Sequence, residues 1–524
     1  MLLRLCFANQ TDTDIDKKKQ VSVSLHLSLQ TQSAPLSTTV TCCTMLKSTF
    51  TPMYWFLAPK PKPQKLSSNL IKNTFSNSTP NVRQNSSLKQ NPIINPTSAY
   101  IHLPFCRKRC HYCDFTIVAL GSASTQTHDD PRVINYVQWL CREINATKME
   151  EKPAPLQTVF FGGGTPSLVP PSMVSNVLET LKMKFGLSES AEISMEMDPG
   201  TFDYKKMQEM MLLGVNRVSL GVQAFQEKLL KSCGRAHGLE EVHEAIDIVK
   251  KCGVENWSID LIASLPHQTS EMWEESLRLT IEAQPTHVSV YDLQIEQGTK
   301  FGKLYVPGEF PLPSETQSAD FYKMASKILC DANYNHYEIS SYCKNGYECK
   351  HNYTYWKNNP FYAFGLGSTS LIGGLRFSRP KKMNEYTKFV QNLENGLINS
   401  SSDNNINSKD TATDVVMLSL RTARGLDLKR FQESFGSSLV LSLLELYKPY
   451  VESGHVVFLD EQRRTIRIDD TDNSLLYETN SERRVAYMRL SDPNGFLLSN
   501  ELISLAFGVI DSWKDYPSAL QEAT

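Results

Sequence analysis

Between residues 99 and 293 the chain alternates, six times in succession, a short β-type run with an amphipathic stretch at helical period. The β-type runs cover 99–103, 158–161, 192–197, 217–222, 257–262 and 287–293. The helical stretches between them cover 133–148, 172–184, 204–213, 239–251 and 270–283. Consecutive units of this kind lay their strands side by side in parallel, because each helix must cross back over the sheet. The pattern predicts an α/β core over residues 96–300, a partial (β/α)6 barrel or a complete one. Periodicity does not report closure, so an open doubly wound sheet satisfies it as well.

Past Phe301 the rhythm changes. Residues 315–332 read as a helix, a Tyr- and Cys-containing segment runs to Trp356, and a Gly-rich loop spans 365–374. We read 301–398 as an extension of the core. The polar, low-complexity stretch 399–411 reads as a linker. Residues 412–524 read as a winged-helix-like α+β domain, with helices over 415–421, 428–435 and 437–453, a hairpin pairing 456–458 with 465–468, and a last helix from Leu498. At the other end, no Asp or Glu occurs from Lys17 to Cys113, while hydroxyl, amide, Pro and Lys residues abound. Such a leader, over 1–95, has the make-up of a mitochondrial or chloroplast transit peptide, with Met45 as an alternative start; a plain disordered tail is the other reading.

The 524 residues carry a net charge of −2, which gives no global electrostatic reason to expect nucleic acid or an anionic membrane as partner. No apolar run reaches the length of a membrane span. The twelve cysteines are scattered through a long chain with no secretory signal, which favours a reducing compartment over a disulfide framework.

Polar residues gather just past the predicted strands, where parallel α/β folds build their sites. The first run leads into Cys106, Cys110 and Cys113, and the second into Gly162-Gly163-Gly164-Thr165-Pro166. The third ends at Glu196 and Asp198, the fourth at Gln223, and the fifth carries Asp260. Three cysteines are one thiolate short of a closed tetrahedral zinc or four-cysteine iron–sulfur site. His111 sits too close between Cys110 and Cys113 to close a tetrahedron with both. A [4Fe–4S] cluster would keep one iron open, and a zinc completed by water remains an alternative. Arg107, Lys108 and Arg109 favour thiolate over thiol.

The Cys-x3-Cys-x2-Cys spacing after the first strand, with Gly-Gly-Gly-Thr-Pro after the second, resembles the radical S-adenosylmethionine (SAM) superfamily. Over roughly residues 98–513 the chain resembles its HemN-type subgroup. The resemblance implies a [4Fe–4S] cluster on Cys106, Cys110 and Cys113, SAM chelated by the open iron, and reductive cleavage of a C–S bond of SAM. It also implies a SAM pocket lined by Tyr100, Tyr112, Gly163, Gly164, Thr165, Glu196, Gln223, Arg235, Asp260 and Gln294. There Arg235 would pair with the SAM carboxylate and Glu196 with ribose hydroxyls.

Two features separate the branches of that subgroup. Oxygen-independent coproporphyrinogen III dehydrogenases carry a fourth cysteine two residues after the third, where this chain has Phe115. HemW-like heme chaperones have an aromatic there and a His-Asn-x-x-Tyr-Trp signature; this chain reads His351-Asn352-Tyr353-Thr354-Tyr355-Trp356. The HemW-like resemblance implies bound heme, with His351, Tyr355 and Trp356 as its contacts. It further implies acceptor hemoproteins and an electron donor as partners, a SAM- or cluster-dependent homodimer, and a cytoplasmic site in bacterial members. Cys343 or Cys349 competes with His351 as the iron ligand, a zinc site on all three is another reading, and the signature residues can simply order a loop. A heme carrier and a porphyrinogen-directed radical enzyme are therefore the two functional readings, and Phe115 with the signature favours the first.

Overall fold

The computed structural model describes residues 95–121, 129–148, 154–398, 407–466 and 485–514. Residues 1–94 of the expected leader, 399–406 of the expected linker and 467–468 of the expected hairpin lie outside these.

Six parallel strands form where the sequence places them: β1 (Ser98–Leu103), β2 (Leu156–Gly163), β3 (Leu187–Met197), β4 (Arg217–Gln223), β5 (Asn256–Ala263) and β6 (His287–Asp292). All six side chains of β1 are buried, as in a strand covered on both faces. The crossover helices are α1 (Pro131–Ala146), α2 (Pro171–Phe185), α3 (Tyr204–Leu212), α4 (Leu239–Lys251) and α5 (Ser270–Ala283). Helix α5 shows how local sequence sets them. The Thr269 side chain accepts from the Met272 amide as an N-cap, and Trp273, Ser276, Leu277, Thr280 and Ala283 recur at helical spacing on the buried face. Burying Trp273 and Leu277 completely contributes about 1.5–3 kcal/mol each.

The extension enlarges this sheet. After α6 (Glu315–Asp331) come β7 (Asn335–Glu338), β8 (Ser341–Cys343), the short helix α7 (Lys350–Trp356) and β9 (Tyr362–Phe364). The strand order is β9-β1-β2-β3-β4-β5-β6-β8-β7, with β9 parallel to β1 while β8 runs antiparallel to β6 and to β7. Among the described residues the edge strands do not pair with each other, so the fold is a partial barrel. The Gly-rich loop expected over 365–374 instead contains a strand, Thr369–Ile372, paired with Leu375–Ser378 around the Gly373-Gly374 turn. Both glycines have positive φ, the backbone that a tight hairpin turn demands.

The C-terminal domain has a hydrophobic cluster of its own. Its helices are α8 (Ser408–Leu420), α9 (Leu428–Phe435), α10 (Ser437–Glu452) and α11 (Ser499–Ser512). Strands β10 (Leu426–Asp427), β11 (Val456–Leu459) and β12 (Tyr487–Leu490) pair in the order β10-β12-β11. The described part of the expected hairpin pairs: Leu459 bridges Thr465 in antiparallel sense, and the Ile466 amide donates to the Phe458 carbonyl at 2.9 Å. Val456–Leu459 also forms a ladder with Tyr487–Leu490, which sequence reading did not expect.

Candidate functional site

The chain leaves β1 at Pro104, and a two-residue strand, Phe105–Cys106, pairs in parallel with Val118–Ala119. That clasp turns residues 107–117 into a closed loop over the strand ends. Cys106, Cys110 and Cys113 are free thiols here, each partly buried. The Thr165 hydroxyl donates to Cys106 Sγ at 3.6 Å, and Arg235 Nη1 donates to Cys110 Sγ at 3.4 Å. Burial pushes the Cys106 thiol up to about 12; the Thr165 hydrogen bond opposes this, and Cys113 and Cys110 reinforce it. Such crowding needs cations before all three can be thiolates. No three His, Cys, Asp or Glu side chains among the described residues converge on a single metal position. In a [4Fe–4S] cluster the three thiolates need not converge on one ion, because each takes a different iron. His111 turns away: its Nδ1 meets the Ser232 carbonyl at 2.8 Å and its Nε2 meets Lys300 Nζ at 3.0 Å.

The glycine turn presses against the same loop. Gly163 has φ of +112°, and a Cβ on it would lie 2.4 Å from the His102 ring. A Cβ on Gly164 would lie 2.6 Å from the Pro104 backbone. Only glycine fits at either position. The Gly163 amide donates to Glu196 Oε2 at 3.0 Å, which aims that carboxylate along the strand ends. Burial raises Glu196, with Asp260 adding to the effect. Asp260 is raised by burial as well, against hydrogen bonds from Ser219 at 2.8 Å and Ser258 at 3.1 Å. Tyr100 joins from β1, its hydroxyl 3.1 Å from His102 Nδ1.

Arg235 is the hub. Its Nη1 also reaches the Tyr112 hydroxyl at 3.0 Å, and its Nη2 reaches the Gly221 carbonyl at 2.8 Å and pairs with Asp198 Oδ1. Burial alone would raise Asp198, but Arg235, His237 and Arg107 outweigh it and hold the carboxyl down at about 2. Gln223 stands beside this hub with φ of +71°, a strained backbone of the kind that collects at functional sites. A Cβ placed on Gly221 would lie 3.0 Å from its amide nitrogen and 3.3 Å from Arg235. Gln294 is different. It is exposed and reaches Asp292 at 3.4 Å, outside this group.

Beneath the rim lies a partly open, polar interior of about 80 Å3. Phe115 and Phe160 form part of its wall, with Tyr291, Arg217 and, from α7, His351, Asn352 and Tyr355. His351 has no free ring nitrogen: Nδ1 is 2.7 Å from Thr158 Oγ1 and Nε2 is 2.8 Å from the Tyr355 hydroxyl. The ring also stacks on Phe160. Burial, then Arg217, drives His351 down to about 3, so it is neutral. Trp356 points elsewhere and packs with Leu418 of α8. The expected heme contacts His351, Tyr355 and Trp356 therefore do not share one open face, because α7 wraps its signature side chains around its own circumference. Nor are Cys343, Cys349 and His351 brought together as a metal set among the described residues.

Two contributors escape sequence reasoning, and Arg107, expected only to favour thiolate, takes a further role. His237 and Arg107 complete the Asp198 network, and Arg217 enters the interior from the start of β4. The Gly-Arg-Ala-His string signals His237 by its spacing from Arg235; nothing local marks Arg217.

Residues 100–280 match the radical SAM superfamily, and residues 406–464 match the HemN C-terminal domain. The heme chaperone HemW of Synechocystis sp. is 39% identical over 420 residues, covering 80% of this chain and 98% of that protein. HemW of Lactococcus lactis is 33% identical over 346 residues, 66% of this chain and 87% of that one. Among solved structures, the Escherichia coli coproporphyrinogen III oxidase HemN superposes with a TM-score of 0.62 at 20% identity, over 80% of this chain and 91% of that chain, a likeness of fold. Identity of this extent across nearly the whole of a relative places the chain in the HemW family of radical SAM proteins.

Proposed function

We propose that the chain is a heme chaperone, which binds heme and a SAM-liganded [4Fe–4S] cluster and passes the heme to acceptor proteins. Radical SAM membership implies SAM and the cluster. The heme and its transfer are our reading, supported by the names of the relatives. Cys106, Cys110 and Cys113 would hold the cluster, with Thr165 and Arg235 stabilising thiolate charge. Tyr100, Tyr112, Gly163, Gly164, Glu196, Gln223 and Asp260 would form the SAM rim, and Gln294 stays out of it. When bound, the cluster would supply the electron for any reductive cleavage of SAM. Arg235 and its partners fix the polar end of SAM, while Glu196 and Asp260 offer buried acceptors.

One observation carries the choice of carrier over porphyrinogen enzyme. Phe115 stands at the position of the dehydrogenases' fourth cysteine, and it lies in the wall of the interior next to Tyr100, Gly163 and Glu196. The radical-enzyme reading keeps one support, the intact Arg235–Asp198 rim. A transit peptide in the leader, an electron donor and a SAM- or cluster-dependent dimer belong to the same proposal.

The test is to reconstitute the cluster anaerobically, titrate heme by absorbance, and present the loaded protein to an apo-hemoprotein. The reading expects stoichiometric uptake and transfer. Failure to take up heme at all would sink it.

A further inference from the structure

The end of α7 opposite the barrel interior meets the C-terminal domain in a cluster of cations. Lys357, Arg424, Arg430 and Arg463 are all exposed. Arg424 stands over the Tyr353 ring at 4.8 Å and Lys357 over the same ring at 5.4 Å. Arg463 stands over Tyr487 at 4.1 Å and donates to the Arg424 carbonyl at 2.9 Å. Tyr487 lies beside Asp427 in the β10–β12 ladder, so the two ring–cation pairs form one surface. Among the described residues, the one carboxylate paired with these four cations is Asp427, 3.7 Å from Arg430.

Four gathered cations repel one another, and nothing global explains them, since the whole chain carries −2. The repulsion is legible at Lys357, whose ammonium is lowered by partial burial and then by Arg424 and Arg430. The surface is also pre-organised. Guanidinium groups seated on tyrosine rings lose less freedom on pairing with carboxylates, and Tyr and Arg are the residue types that dominate protein interfaces. A cation already lies over each ring, which makes both poorer stacking platforms for nucleic-acid bases.

We propose that Lys357, Arg424, Arg430 and Arg463 form a docking surface for a carboxylate-rich face of the protein that exchanges heme with this chain. The proposal rests on the chaperone reading for the partner's role, not for its charge. Its position gives it a consequence: Tyr353 and Tyr355 belong to the same helix, so a partner seated on the outer face of α7 contacts the element that walls the barrel interior.

The test uses the reconstituted full chain and a fluorescein-labelled decaglutamate peptide as probe, followed by anisotropy at low and physiological salt. Wild type should bind with an affinity that falls as salt rises, and the double variant Arg424→Glu/Arg463→Glu should bind at least about tenfold more weakly. The charge-conserving Arg424→Lys/Arg463→Lys should lose only about threefold, through the lost ring stacking. SAM binding and heme stoichiometry should match wild type in both. Equal peptide affinity in wild type and the charge-reversed variant would overturn the proposal. So would heme uptake lost with peptide binding intact, which would give the cations to heme propionates, or tighter binding of a single-stranded oligonucleotide than of the peptide. Peptide binding that appears only after deletion of residues 467–484, which include Asp469, Asp470 and Asp472, would assign the surface to the chain itself and overturn it too. A wild type that binds the peptide with this salt dependence but takes up no heme would sink the chaperone reading and leave the acidic docking surface standing.

Discussion

Both the cysteine loop and α7 carry residue types that ligate iron, yet they are built in opposite ways. In the loop, hydrogen-bond donors from Thr165 and Arg235 are aimed at sulfur, and burial, reinforced by the neighbouring thiols, raises the proton affinity of Cys106 and Cys113. That arrangement gains from positive metal. In α7, both nitrogens of His351 are taken by hydroxyls, and burial keeps the ring neutral. That arrangement gains nothing from metal unless existing bonds break. A ligand is thus marked less by residue type than by whether its lone pairs are already in use.

The largest effect should come from the loop. Replacing Cys106, Cys110 and Cys113 together with Ala should abolish iron binding and, with it, SAM binding measured by calorimetry; retained SAM affinity would break the contrast at once. Next is the hub behind the loop. Asp198→Asn leaves Arg235 without its carboxylate in a mostly buried setting, which should cost about 3 kcal/mol in chemical denaturation at neutral pH. Because the Asp198 carboxyl is held at about 2, below its ordinary 3.8, its contribution is complete above pH ~4 and lost as pH falls toward ~2, worth about 2 kcal/mol. The variant should lose that acid-sensitive part.

His351→Ala sharpens the other half. It removes the partner of the Thr158 hydroxyl and should cost about 2 kcal/mol, with heme stoichiometry per folded molecule unchanged. Wild-type His351, held at about 3, contributes fully above the ordinary histidine value of 6.5 and less as pH drops toward 3; the variant should be flatter there. A loss of heme without a loss of stability would restore His351 as the ligand. The smallest effect belongs to Trp356→Phe. The buried indole N–H has no partner among the described residues, so relief of that group offsets part of the lost packing, and the net change should stay within about 1 kcal/mol by thermal denaturation.

The six strands and five crossover helices were legible because each carries its own period, and the rim was legible because parallel strands must deliver their ends to one side. Glu196, Asp260 and the cysteines needed only that rule. The interior was not legible in the same way. Arg217 enters from the start of a strand, and His351 meets Thr158 across 193 residues, pairings that no local pattern encodes. The ladder between Val456–Leu459 and Tyr487–Leu490 was hidden for a related reason: nearness in sequence points to the 465–466 run, which does pair, and not to a second, distant partner. Gln294 failed on exposure, which periodicity at a strand end does not report.

We read this radical SAM fold as one that carries heme and does not oxidise a porphyrinogen. The most direct test is to incubate the reconstituted, reduced protein with SAM and coproporphyrinogen III and to follow the tetrapyrrole by chromatography. Coproporphyrinogen III should be recovered unchanged from a preparation that binds heme stoichiometrically. Turnover to protoporphyrinogen IX would contradict this reading.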